Sequence, residues 1–200
     1  LDDDLSRFSQ YRNYIQDIQV MLRVVRQAYN FNVGVTVMPQ KTEFSQRYQG
    51  IDTVVTRNVT NFTPTADFRW KISKVSQLRF NYRGSTSQPS ISDLLEIKDD
   101  SDPLNVSTGN AGLKPSFTNS FRLFYNNAWT TYQRVMYANL QFNITSNSIA
   151  NMVTYNPETG GRYSRPENIN GNWRISGNVM FNTAIDSMAR FNVNTSTGVS

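Results

Sequence analysis

The chain has 200 residues, a formal net charge of +5, a pI near 9.6 and a mean hydropathy of −0.52. It has no cysteine and no histidine, which excludes a disulfide framework, an iron–sulfur cluster, a thiol nucleophile, a Ser-His-Asp triad and the common zinc sites. Lys and Arg are scattered singly, so the basic balance reads as charges on wet strand faces and not as a nucleic-acid surface.

No run approaches the roughly 18 apolar residues of a membrane helix; a barrel strand, by contrast, needs only about 9–11 residues with every second one apolar. Period-2 alternation begins at Ile15–Val25, where Ile18, Val20, Leu22 and Val24 oppose Asp17, Gln19 and Arg23. A helix is the rival there, because Phe8, Tyr11, Ile15, Ile18, Leu22, Val25 and Tyr29 also stand at heptad spacing. Val20, Met21 and Val24 would then lie on the wet side, and the β-branched content favours a strand. The next strand carries Tyr29, Phe31, Val33, Val35 and Val37. Another carries Ala66, Phe68, Trp70 and Ile72, and is followed by one with Leu78, Phe80 and Tyr82. Beyond a long connection come Phe117, Phe121, Leu123 and Tyr125, then Met136, Ala138, Leu140, Phe142 and Ile144. Trp173, Ile175, Val179 and Phe181 follow, and last Phe191 and Val193. The expectation is an all-β antiparallel meander of about eight strands.

The connections alternate in length. Short ones fall near Arg26–Ala28, Ser73–Ser76, Asn126–Thr131 and Asn182–Met188, and long ones at Pro39–Asn61, Thr86–Pro115 and Ser146–Asn168. That is the sequence picture of a transmembrane β-barrel segment with short periplasmic turns and long extracellular loops. Aromatics fall in two bands. Tyr29, Trp70, Tyr125, Trp129, Tyr132 and Phe181 lie near the short turns, and Phe62, Tyr82, Phe117 and Trp173 toward the long loops, as interfacial girdles require. Arg23, Arg69, Arg79, Arg83, Arg122, Arg174 and Arg190 fall on the polar faces; the first six are candidates to line a lumen, where they could meet the carboxylates of a plug or an anionic solute.

The carboxylates Asp93, Glu96, Asp99, Asp100 and Asp102 lack EF-hand spacing and read as a solvated loop, so no metal or cofactor is expected. Asn156-Pro157-Glu158-Thr159-Gly160-Gly161 reads as a turn. The Asn-x-Ser/Thr matches beginning at Asn58, Asn61, Asn105, Asn143 and Asn194 read as chance in Asn- and Thr-rich strands. No catalytic constellation appears, and no enzymatic activity is expected.

Gln88, Pro89 and Ser90, then Pro103, Leu104 and Asn105, then Gly109, Asn110, Leu113, Lys114 and Pro115 form a loop signature. It resembles that of TonB-dependent outer-membrane receptors, of the outer-membrane β-barrel family. The resemblance implies a nutrient-uptake receptor in the bacterial outer membrane, with a barrel of about 22 strands around a plug, energised through a TonB box. Residues 1–200 would be one barrel segment without plug or TonB box, beginning at Leu1 and stopping mid-strand. Its partners would be outer-membrane lipid, the plug and remaining strands, TonB through the full receptor, and a solute. The alternatives are a small complete barrel acting as an anchor or adhesin, and a soluble secreted β-sandwich that binds carbohydrate or protein.

Overall fold

The computed structural model of the chain describes residues 8–48, 51–96, 98, 102–186, 188 and 190–200. Alternation drives nearly all of it into strand: β1 (Phe8–Ile15), β2 (Ile18–Val25), β3 (Tyr29–Tyr48), β4 (Ile51–Lys71), β5 (Ser76–Ser87), β6 (Asn105–Ser107), β7 (Ser116–Trp129), β8 (Arg134–Ser146), β9 (Ser148–Tyr155), β10 (Arg162–Ile169), β11 (Asn172–Ala184) and β12 (Asn192–Val199). The only α-helix among the described residues is the single turn α1 (Ile91–Leu94).

The main sheet is an open antiparallel meander in the order β1-β3-β4-β5-β7-β8-β11-β12, with β2 also on β3. β1 and β2 are one strand interrupted, because Ile15 opposite Gln40 and Ile18 opposite Val37 keep a single register on β3. The interruption faces Pro39. Gln16 donates its N–H to the Pro39 carbonyl at 3.1 Å, and proline has no N–H to return the bond. Counted so, the main sheet has the eight strands the alternation calls for, and the first is a strand and not a helix.

Across these strands the register lines up one apolar face. Leu22, Val33, Ala66, Tyr82, Phe121, Phe142 and Ile175 form one continuous row. Phe121 sits at the centre of its aromatics, 5.0 Å from the Tyr82 ring and 6.1 Å from Phe142. Tyr29, Trp70, Leu78 and Tyr125 make a second row near the short turns, and Phe181 meets Trp129 edge-on at 6.5 Å. Phe62, Phe117 and Trp173 each stand eight residues along their strand from Trp70, Tyr125 and Phe181, whereas Tyr82, expected in the same outer band, lies in the middle row opposite Ala66 and Phe121. At about 3.3 Å per residue the two aromatic bands are about 26 Å apart along the strands, which at the ~40° tilt of barrel strands is about 20 Å of height, inside the ~25 Å apolar belt of an outer-membrane barrel.

Among the described residues no second layer covers this face. Leu113, 7% exposed, is the only buried hydrophobic residue among those described, while Val20, Leu22, Trp70, Leu140 and Trp173 are exposed. A soluble sandwich would bury such residues against a facing sheet.

Two of the expected long loops are largely strand. Pro39–Asn61 continues β3 and β4 as a hairpin ladder from Tyr48 opposite Ile51 down to Tyr29 opposite Trp70. Ser146–Asn168 contains β9 and β10, which join β6 in a separate three-stranded sheet. Of the three, only Thr86–Pro115 is mainly irregular in its described residues. Asn126–Thr131 is also shorter as a turn than expected, since β7 runs on to Trp129.

Candidate functional site

Two constellations stand out: a rim and loop module at the long-loop end, and a hollow in the polar face of the main sheet.

The module is built from the loop signature. Arg57 on β4 donates to the Pro89 carbonyl at 2.7 Å and to Gln88 Oε1 at 3.1 Å, and Gln88 donates to Asn61 at 2.7 Å. The ladder continues as Asn61 donates to Gln40 and as Gln40 and Thr42 donate to Asn13, which ties β1, β3 and β4 to the start of the loop. Ser90 caps α1 in a reciprocal box with Asp93. Pro103 and Leu104 form an exposed turn. There Asp102 accepts from the Leu104 N–H at 3.0 Å and from the Asn105 side chain at 2.7 Å. Those bonds, Asn105 first, hold the Asp102 carboxyl below the usual aspartate range. Two of the loop carboxylates thus shape backbone; Asp99 and Asp100 lie outside the described residues. Among the described residues no group of three or more acidic side chains could hold a metal ion.

Gly109 passes so close to the Leu95 and Asp93 carbonyls that a Cβ there would overlap them. Asn110 is 6% exposed. Its side chain donates to the Pro166 carbonyl, 56 residues away in sequence, at 3.0 Å and accepts from the Gly112 N–H at 2.9 Å. Leu113 is buried beside it, and Pro115, exposed, leads into β7. The Lys114 backbone is gripped on both sides by the Asn168 amide, at 2.8 and 3.0 Å, which also donates to the Asn147 carbonyl at 2.9 Å. Asn147, with φ of 52°, is where the chain leaves β8 for β9; Asn is among the few residues that tolerate that conformation. The turn 156–161 closes β9 onto β10 with Gly160 at φ 68°. The loops after β5 and after β8 are therefore one stitched unit.

The hollow, of about 690 Å³, lies on the polar face. Arg23, Arg69, Arg79, Arg83 and Arg122 line it; Arg174 shares the face, opposite Asn143, but stands outside the hollow, and Arg190 instead bonds Asp186 in the β11–β12 turn. Arg69 and Arg79 face each other directly across β4 and β5, a repulsive pairing. Asp67 offsets part of it by accepting from Arg79 at 3.1 Å and from Asn81. Arg23, Arg69, Arg83 and Arg122 have no ion pair among the described residues. Arg57, Asn13 and Asn168 carry no motif, and the first two lie where no alternation marks a strand, so sequence reasoning missed them.

A long-stranded antiparallel arc with an uncovered, girdled apolar face and a charged opposite face is part of the wall of a β-barrel that spans a membrane. The model of the outer membrane protein beta-barrel family matches residues 26–200, and the chain belongs to that family, whose place is the bacterial outer membrane. The fold is similar to that of the siderophore receptor PirA from Pseudomonas aeruginosa, with a TM-score of 0.50 and 10% identity over 97% of this chain. The chain spans 44% of that receptor chain. No curated protein matches it.

Proposed function

We propose that the chain is part of the wall of a TonB-dependent receptor that takes up a scarce nutrient. The apolar face meets lipid, the polar face lines the lumen, and the stitched loops after β5 and β8 help to capture the solute. The observation that carries this reading is the loop signature folding as one unit at the long-loop end, through Asn110 on Pro166 and Asn168 on Lys114. A plug, further wall strands and TonB act through the complete receptor, and the reading assigns no reaction to the chain. The open sheet favours this over a small complete barrel, since β12 does not pair with the first strand among the described residues. The test compares nutrient depletion from the medium by cells with and without the protein, each with and without functional TonB. Depletion of one solute that needs both supports the reading; depletion indifferent to TonB overturns it.

A further inference from the structure

We infer that the hollow in the polar face recognises an anionic, multiply charged small solute bearing carboxylates or phosphates; this rests on the lumen reading above. From the Ile18–Val37 row down to the short turns, the polar face carries seven cations, the six arginines and Lys71, against one carboxylate, Asp67. That excess of six exceeds the net +5 of the whole chain. The charge is concentrated, not averaged over the surface, and it faces a space of about 690 Å³, the size of a small-molecule site.

The composition of the hollow points the same way. Arginine presents a planar fork of donors that matches carboxylate and phosphate oxygens in pairs. Asp67 is engaged by Arg79 and Asn81, so it satisfies one guanidinium and leaves Arg69, Arg83 and Arg122 without a carboxylate among the described residues. Placing Arg69 directly opposite Arg79 costs stability in an empty site, and a bound anion between them removes that cost. The neighbours Asn30, Asn32 and Ser120 are neutral hydrogen-bonding groups, and they add no competing negative charge.

The experiment uses the complete barrel that contains this chain, in nonionic detergent at low salt, with its arginines labelled with ¹⁵N. Pyrophosphate and a tricarboxylate, tricarballylate, are titrated in, with neutral maltotriose as control. The guanidinium signals should shift saturably with at least one anion and not with the sugar. Arg69→Gln and Arg83→Gln should each weaken that binding about tenfold, the range of one charge-assisted hydrogen bond, whereas Arg174→Gln on the same face outside the hollow should change it less than twofold. Absence of a saturable shift overturns the inference, and so does an equal loss in Arg174→Gln, which would mean diffuse surface charge. Arginines held by an acidic segment of the barrel's own protein, deaf to added anion, overturn it as well. The underlying reading fails separately. These 200 residues have no cysteine, so with any cysteine elsewhere in the barrel replaced by serine, Ser120→Cys can be probed with a water-borne thiol reagent; a thiol there that reacts only with lipid-dissolved reagents sinks the lumen assignment whatever the titration gives.

Discussion

Asn110 shows how much of the loop rests on one amide. Its burial makes both bonds, to the Pro166 carbonyl and from the Gly112 N–H, hard for water to replace. Asn110→Ala should cost about 1–3 kcal/mol of local stability, read as faster exchange of the Gly112 amide and earlier proteolysis between Leu95 and Lys114, with the main sheet unchanged. Asp102 gives a pH dependence of known sign. Its folded carboxyl is held low by Asn105 and the Leu104 N–H, so its contribution is present above the ordinary aspartate pKa of about 3.9 and is lost as pH falls through the lowered folded value. The Leu104 amide shift should therefore titrate below the range of an unbonded aspartate, and that titration should vanish in Asp102→Asn.

Elements here are set by where proline and glycine allow strands to approach. The paired register of β4 and β5 ends at Thr65 opposite Arg83, because Pro64 brings no N–H; beyond it the Thr86 hydroxyl bridges both the N–H and the carbonyl of Phe62. Gly84 lies in the same place, and a Cβ on it would come within 2.6 Å of the Phe117 ring and 2.7 Å of Pro64. Gly84→Ala should force these apart and lower the unfolding midpoint of the barrel, with the cost of about 1–3 kcal/mol typical of overpacking. Arg57 joins element to loop. Arg57→Ala removes both of its bonds to Gln88 and Pro89, and should speed amide exchange at Leu95, which closes α1, by the equivalent of about 1.5–3 kcal/mol while leaving β4 in place.

At the scale of the molecule, the two faces of the main sheet have opposite tolerances. Leu140 belongs to the apolar face one row from its middle, and Gln141 to the polar face beside it. Leu140→Arg should destabilise the complete barrel in vesicles by about 2 kcal/mol in a urea titration, while Gln141→Arg should cost well under half of that. Equal costs would show that the faces do not meet lipid and water respectively.

The alternating residues alone determined the eight-position meander, the polar face that six arginines share, and the two aromatic bands, because a strand with one face in lipid must repeat with period 2. The same physics explains what was not legible. Above the aromatic bands neither face of β1, β3 and β4 lies in the apolar belt, so Tyr11, Arg12, Asn13 and Tyr14, or Lys41, Thr42, Glu43 and Phe44, show no alternation, and the period-2 pattern of the 20-residue strand stops at Val37. β9 and β10 were hidden for the same reason. The loop residues could be named from their signature, yet not what each one touches: Asn110 on Pro166, Asn168 on Lys114 and Arg57 on Gln88 span 56, 54 and 31 residues. Only the tertiary register decided those pairs, and only it set Arg69 against Arg79 and left Asp67 to answer one of them, because contacts so far apart in sequence depend on the stacking of every strand between.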